Sequence, residues 1–395
     1  MLWSIKQRCD HYPRSHCEKD TSIAQWILLT TTALVAFAGA AVADGHTGVS
    51  FGGDAALGYN DTTGGDYDGF YWDSTLNVGY AQDLDNGVTA GVKFNIDIQE
   101  DGTAQGTTGG NTNLNADDWQ VFLKTDAATL TYGDTGTAAN SLWSAAGDME
   151  SDGFTSDWTD GPADAVGVLR LDATIGTVSA SVSGIMSNAT GTSELDQTSI
   201  AVKADVAGAT VAVAYEEATT LVEAGDFNND EIFGLSVGFA AAGANFTVAY
   251  AKDENSKSTG VKASMPVGPV TVTGYYVDES VGDANYGINA KYAADALTVA
   301  LDYQDDQGVT KVGIDGTYDL GNGLTVLAGM YDQSDDTTAA NNGTDTYVAA
   351  SYDLGGGAAL LVSYTDAETA GAIADDEVGG PDYQVGTTVV ATFKF

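Results

Sequence analysis

The sequence predicts an all-β protein, a closed antiparallel barrel that crosses a membrane with its strands. Three observations predict it. Apolar and polar residues alternate with a period of two from about residue 47 to residue 395, the pattern of strands with one apolar face. The links between these segments alternate between tight turns and long polar loops. The polar faces carry charge while the apolar faces carry none, and tyrosine collects at strand ends, as a barrel in hydrocarbon requires.

Composition sets the bounds. In 395 residues there are 49 Gly and only 5 Pro, with Thr, Val, Tyr and Ala abundant, usage that suits many strands joined by tight turns. A formal net charge of −42 makes nucleic acid and anionic surfaces poor partners on Coulombic grounds. Hydrophobic residues at 43%, in alternating order, argue against a disordered acidic chain.

Residues 1–43 read as a signal peptide. The apolar run 27–39 has the length of a signal-peptide core and is too short to span a bilayer as a helix. Ala41-Val42-Ala43 follows as a small-x-small cleavage signal, so cleavage after Ala43 is expected. Residues 1–25 are long and mixed in charge for a leading region, which fits a start codon assigned too far upstream. Both cysteines, Cys9 and Cys17, fall in this segment. Of the 14 basic and 56 acidic residues, four and three respectively lie before residue 44, leaving 10 and 53 and a net charge near −43. The expected mature chain, 44–395, forms one barrel domain. With no cysteine, and with His46 as its one histidine, it lacks the residues for a thiol nucleophile, a serine–histidine pair or a zinc site. No spacing selects a pair of carboxylates for glycoside hydrolysis either, and no enzymatic function is expected.

Taken in order, 49–59 and 72–80 alternate cleanly, and Asp85-Asn86-Gly87 marks a tight turn. Next, Val88, Ala90, Val92, Phe94, Ile96 and Ile98 oppose Thr89, Gly91, Lys93, Asn95, Asp97 and Gln99. About twenty such segments recur. Short links at 83–87, 125–127, 207–209, 266–269, 293–295, 320–323 and 354–357 interleave with longer ones at 100–116, 187–197, 218–230, 332–343 and 366–381. Lys93, Lys124, Arg170, Lys203, Lys262, Lys291 and Lys311 all fall on the polar parity. Tyr59, Tyr80, Tyr215, Tyr250, Tyr292, Tyr303, Tyr318, Tyr331, Tyr352 and Tyr364 stand at strand ends, where an aromatic girdle belongs.

The longest link, 134–165, has no repeating pattern. Trp143, Phe154 and Trp158 within it argue against disorder, since such rings gain most by packing, and a link of this length is then a functional loop. It also holds Asp134, Asp148, Glu150, Asp152, Asp157, Asp160 and Asp164, with no Lys or Arg. These acids need water while the rings need a wall. Asp226, Asn228 and Asp230 imitate the start of a calcium loop, but Glu231 stands where glycine is needed and Val237 where a bidentate glutamate is needed.

The last segment, 383–395, alternates and ends in Phe393-Lys394-Phe395. With SYDLGGGAALLVSY at 351–364, and the order of strand, YGD and long acidic loop at 130–165, the mature chain resembles the general outer-membrane porins of the alphaproteobacterial, Rhodobacter-like type. The resemblance implies sixteen strands, fewer than the twenty or so counted. It also implies a constriction loop after the fifth strand, its acids facing basic wall residues, here Lys93, Lys124, Arg170 and Lys203. Opposed charges across such a gap set a transverse field that favours hydrated, dipolar solutes. The function implied is that of a passive diffusion channel for small hydrophilic solutes and ions in the cell outer membrane, a homotrimer touching lipid and lipopolysaccharide. The excess of acids implies weak to moderate cation selectivity. No cofactor is expected apart from calcium, for which Asp148, Glu150 and Asp152 are the candidate ligands. The alternative from another class is a secreted, acidic β-rich surface or adhesive protein that binds through its long loops.

Overall fold

The computed structural model describes residues 47–62, 69–100, 112–154, 167–187, 194–218, 230–335, 342–367 and 383–395. The expected signal peptide, its cleavage point, and Asp157, Trp158, Asp160 and Asp164 lie outside these residues. Twenty antiparallel strands follow one another round one sheet. The first five are β1 (Thr47–Asn60), β2 (Gly69–Asp83), β3 (Thr89–Glu100), β4 (Thr112–Lys124) and β5 (Ala128–Gly133), and a short helix, α1 (Ala138–Leu142), follows. Next come β6 (Gly167–Ile175), β7 (Val178–Ser187), β8 (Glu194–Val206), β9 (Ala209–Glu216) and β10 (Ile232–Ala241). On the far side are β11 (Ala244–Lys252), β12 (Lys257–Val267), β13 (Val270–Glu279), β14 (Asn285–Ala294) and β15 (Leu297–Asp306). The circuit ends with β16 (Val309–Gly321), β17 (Leu324–Asp335), β18 (Gly343–Gly355), β19 (Ala358–Ala367) and β20 (Gly386–Lys394).

Each strand pairs with the next, and β20 pairs with β1 from Asp54↔Lys394 to Tyr59↔Val389. Reciprocal bonds between Gly53 and Phe395, at 2.8 and 3.0 Å, extend this seam. Closure leaves no strand edge unpaired, which hydrocarbon demands because it supplies no partner for a free N–H or C=O. Twenty is the number of strand-like segments in the sequence, and the sixteen implied by the resemblance do not hold for this chain. The ring is correspondingly wider, since barrel diameter grows with strand number.

One end of the barrel has tight turns. At Ala207-Gly208 both central residues have positive φ, 53° and 86°, the mirror-image turn whose twist matches that of the flanking strands. The other end carries the long links, although 307–308 and 253–256 are short there too.

Parity sorts the side chains as the sequence predicts. Ile200 and Val202 point outward, 50% and 41% exposed, while Ala201 between them is 1% exposed. Leu123, Val248, Val261, Ile288, Leu301 and Ile314 continue the same exposed apolar band. Water penalises so large an apolar surface and lipid accepts it. Among the described residues no helix is long and apolar enough to cross a membrane; the strands provide the crossing. Tyr59, Tyr303, Tyr318, Tyr352 and Tyr364 are exposed on the outer face. Tyr331 departs from the expected girdle, because Met330 and Asp332 take the outer parity and the pleat turns Tyr331 inward. There it stacks on Tyr347, centroids 6.3 Å apart, and Tyr347 meets Tyr383 edge-on at 5.1 Å.

The main hydrophobic core lies inside the barrel. Trp143, Met149 and Phe154 pack on Ala201, Ala214, Ile232, Ala249, Ala251 and Val277, the inner wall of β8 to β13.

Candidate functional site

The link after β5 folds inward, and its path can be followed bond by bond. At its root the Asp134 N–H donates to the Trp119 carbonyl at 2.8 Å, and the Gln120 side-chain amide donates to the Asp134 carbonyl. Arg170 on β6 then donates from Nη1 to the Gly136 carbonyl at 2.7 Å.

Helix α1 lies against the wall. The N–H groups of Ala138 and Ala139, which have no partner within the helix, donate to Ser183 Oγ on β7 at 2.8 Å and Ser199 Oγ on β8 at 2.9 Å. Both alanines are fully buried, and a larger side chain would push the helix off the serines. Thr137 Oγ1 donates to the carboxylate of Glu216 on β9, which also accepts from Gln197 Nε2 at 3.1 Å. Glu216 is fully buried, so these polar contacts replace the water it gives up.

Further on, the loop crosses β10 to β15. The rings of Trp143 and Phe154 sit on Gly234, where a Cβ would lie 2.7 Å from Trp143 Nε1. Ser151 N–H donates to Ser258 Oγ at 2.9 Å on β12, and Glu150 N–H to Glu279 Oε1 at 3.1 Å on β13. On β14, Asn285 Nδ2 donates to the Asp148 carbonyl and to Glu150 Oε1, both at 3.1 Å. Gln304 Nε2 on β15 reaches Asp148 Oδ2 at 3.2 Å. The described part of the loop, 134–154, therefore follows the inner wall from β5 to β15, half of the circuit.

This path decides what the acids meet. Asp134 stays at the root, nearly buried. Asp148 and Glu150 end on the opposite side of the barrel, where carboxylate oxygens of Asp148, Glu150 and Asp306 lie within 4.8 Å of one another. Asp152 is not in that group; Asp306 stands in its place. Lys311 Nζ on β16 is 3.6 Å from Asp306 Oδ2.

The four expected basic partners fare differently. Arg170 holds the loop backbone and Asp172, Nε to Oδ2 2.9 Å, and among the described residues it meets no loop carboxylate. Lys93 borders a cavity that Asp134 also lines. Lys124 pairs with Thr89 beside the 125–127 turn, at the tight-turn rim and away from the loop. Lys203 faces inward between Ser179 and Ala212, beyond Ser199 toward the 207–208 turn. The structure thus gathers Glu216, Glu279, Asn285, Asp306 and Lys311 into the site, and sequence reasoning named none of them as loop partners. Their inward parity was readable; which strands the loop would reach was not.

The remaining arc of wall is acidic. Asp54, Asp73 and Asp97 on β1 to β3, Asp315 on β16 and Asp345 on β18 share the inward parity, with Lys93 and Lys394 among them.

A closed barrel with an apolar outer band, a polar interior and a loop folded along the inner wall defines a membrane channel of the porin class. A family model described as Gram-negative porin matches residues 30–339. The chain belongs to that family and is an outer-membrane porin. No curated protein matches it. Among solved structures it is similar to engineered variants of the porin of Rhodopseudomonas blastica. One is 21% identical, covering 68% of this chain and 98% of that one with a TM-score of 0.47. Another is 20% identical over 68% and 98%, with a TM-score of 0.45. A third is 17% identical over 88% and 100%, with a TM-score of 0.44.

Proposed function

We propose that this porin passes small hydrophilic solutes and ions by diffusion and prefers cations, and that it works as a homotrimer in the outer membrane after removal of residues 1–43. The inward face carries the preference. Asp54, Asp73, Asp97, Asp302, Asp315 and Asp345 from the wall, with Asp148 and Glu150 from the loop, line a water path; of the inward basic side chains, Arg170 is engaged by the Gly136 carbonyl and Asp172, Lys311 lies against Asp306, and Lys124 and Lys203 stand toward the tight turns. Carboxylates there raise the local cation concentration. The apolar band with its tyrosine margins suits lipid and lipopolysaccharide, and a soluble adhesive protein would have no use for it. Reversal potentials across a salt gradient in planar bilayers test the preference. A potential of the sign set by anions, or none, overturns it.

The group of Asp148, Glu150 and Asp306 offers oxygen donors alone, which suits calcium, with Lys311 competing for Asp306. Calcium held there would tie the loop to β15. Chelation should then lower the melting temperature and added calcium restore it; a melting temperature that ignores both excludes this site.

A further inference from the structure

We propose that the cavity between the root of the loop and strands β3 and β4 binds small zwitterions such as free amino acids, giving them a discrete station inside the channel. The proposal rests on the channel reading above. Lys93, Asn95, Asp118 and Gln120 line this cavity of about 330 Å³ from the wall, and Asp134 to Gly136 close it from the loop. That volume holds a small amino acid together with several waters, each of which takes about 30 Å³.

The charges lining it are kept apart. Among the described residues the Lys93 ammonium has no carboxylate oxygen within 4.0 Å, although two carboxylates border the same space. A bulge shifts the β3–β4 register between Lys93 and Asn95. At that bulge Asp118 adopts φ 51°, a left-handed conformation that Asp tolerates better than most residues. Asn95 Nδ2 donates to Asp118 Oδ2 at 2.6 Å, which fixes the carboxylate in place. Arg170, on the other side of Gly136, is already engaged with the Gly136 carbonyl and Asp172. Lys93 is therefore the cation open to a solute.

An ammonium and a carboxylate fixed on one wall beyond each other's reach complement a solute that carries both charges. Its carboxylate meets Lys93 and its ammonium meets the Asp118 carboxylate, two charge-assisted hydrogen bonds at once. Asp134 behind them biases the potential toward the ammonium end. A solute with a single charge satisfies one end only.

The test uses the full chain in detergent, titrated calorimetrically with β-alanine, acetate and methylammonium, beside single-channel recordings. β-Alanine is expected to bind saturably and at least tenfold tighter than either single-charge probe. Lys93→Gln and Asp118→Asn should each weaken it about tenfold or more, the loss of one hydrogen bond to a charged group. Asn keeps the left-handed backbone at 118, and heat-modifiable gel migration shows whether each barrel is intact. Methylammonium binding as tightly as β-alanine would make this a plain cation site and overturn the proposal. So would the absence of saturable binding by a protein that still conducts. A protein that does not conduct fails the channel reading instead, and calorimetry still decides the site.

Discussion

Trp143 and Phe154 meet edge to face, centroids 5.2 Å apart at 63°, directly over Gly234 of β10. With Met149, the pair forms the apolar anchor of a loop that is also held by hydrogen bonds. Gly234→Val should displace both rings, at a cost of about 1 to 3 kcal/mol typical of overpacking. With the anchor gone, single-channel conductance should change and the loop should become open to added protease. Wild-type conductance and protease resistance in the variant would mean that the rings do not hold the loop.

Neighbouring residues on β8 test the two faces. Val202→Lys puts a charge into lipid and should cost about 2 to 4 kcal/mol near the midplane. Lys203→Val, one residue along on the lumenal parity, should cost far less. Denaturant unfolding in lipid vesicles measures both, and equal losses would mean that the faces are misassigned.

Selectivity should depend on the loop acids. Neutralising Asp148, Glu150, Asp152 and Asp157 together is expected to reduce the cation preference in dilute salt. In molar salt, where the Debye length is about 3 Å, wild type and variant should converge. Identical reversal potentials in dilute salt would remove these acids from the ion path.

At the long-loop end, Thr387 N–H donates to Asp61 Oδ1 at 2.6 Å, and Asp61 N–H donates to the Thr387 carbonyl at 3.2 Å. The bonds from Thr387 hold the Asp61 carboxyl below the usual carboxylate range. A depressed pKa stabilises the fold above the unfolded value, about 3.9, and that contribution is lost as pH falls through the folded value. The Thr387 amide resonance should therefore titrate below pH 3.9 in wild type and stay flat in Asp61→Asn. A midpoint at or above 3.9 would contradict the bond.

The faces of the strands were legible because side-chain period two needs no knowledge of neighbours. Val202 and Lys203 were assigned correctly on that basis, and the loop was found because it lacks the period. Parity, however, fixes a face and says nothing of height along the barrel. Lys124 and Lys203 share the lumenal face with Lys93, yet stand toward the tight-turn end. Nor does parity say how far a loop travels: Asp148 finds Asn285 and Gln304 because the chain follows the wall. Tyr331 misled for a related reason, since position near a strand end cannot separate an outer girdle from an inner stack. The strand count was better read from the segments themselves than from resemblance.

The seam between β1 and β20 has a consequence for assembly. Every other pairing joins strands adjacent in sequence, so each can form hairpin by hairpin with little loss of chain entropy. The seam alone brings together strands far apart in sequence, the first and the last. Until it forms, a curled sheet with two open edges exists, and hydrocarbon excludes such edges. The free edges of β1 and β20 therefore have to be covered until they meet, and the seam is the pairing that lets the wall stand alone in lipid.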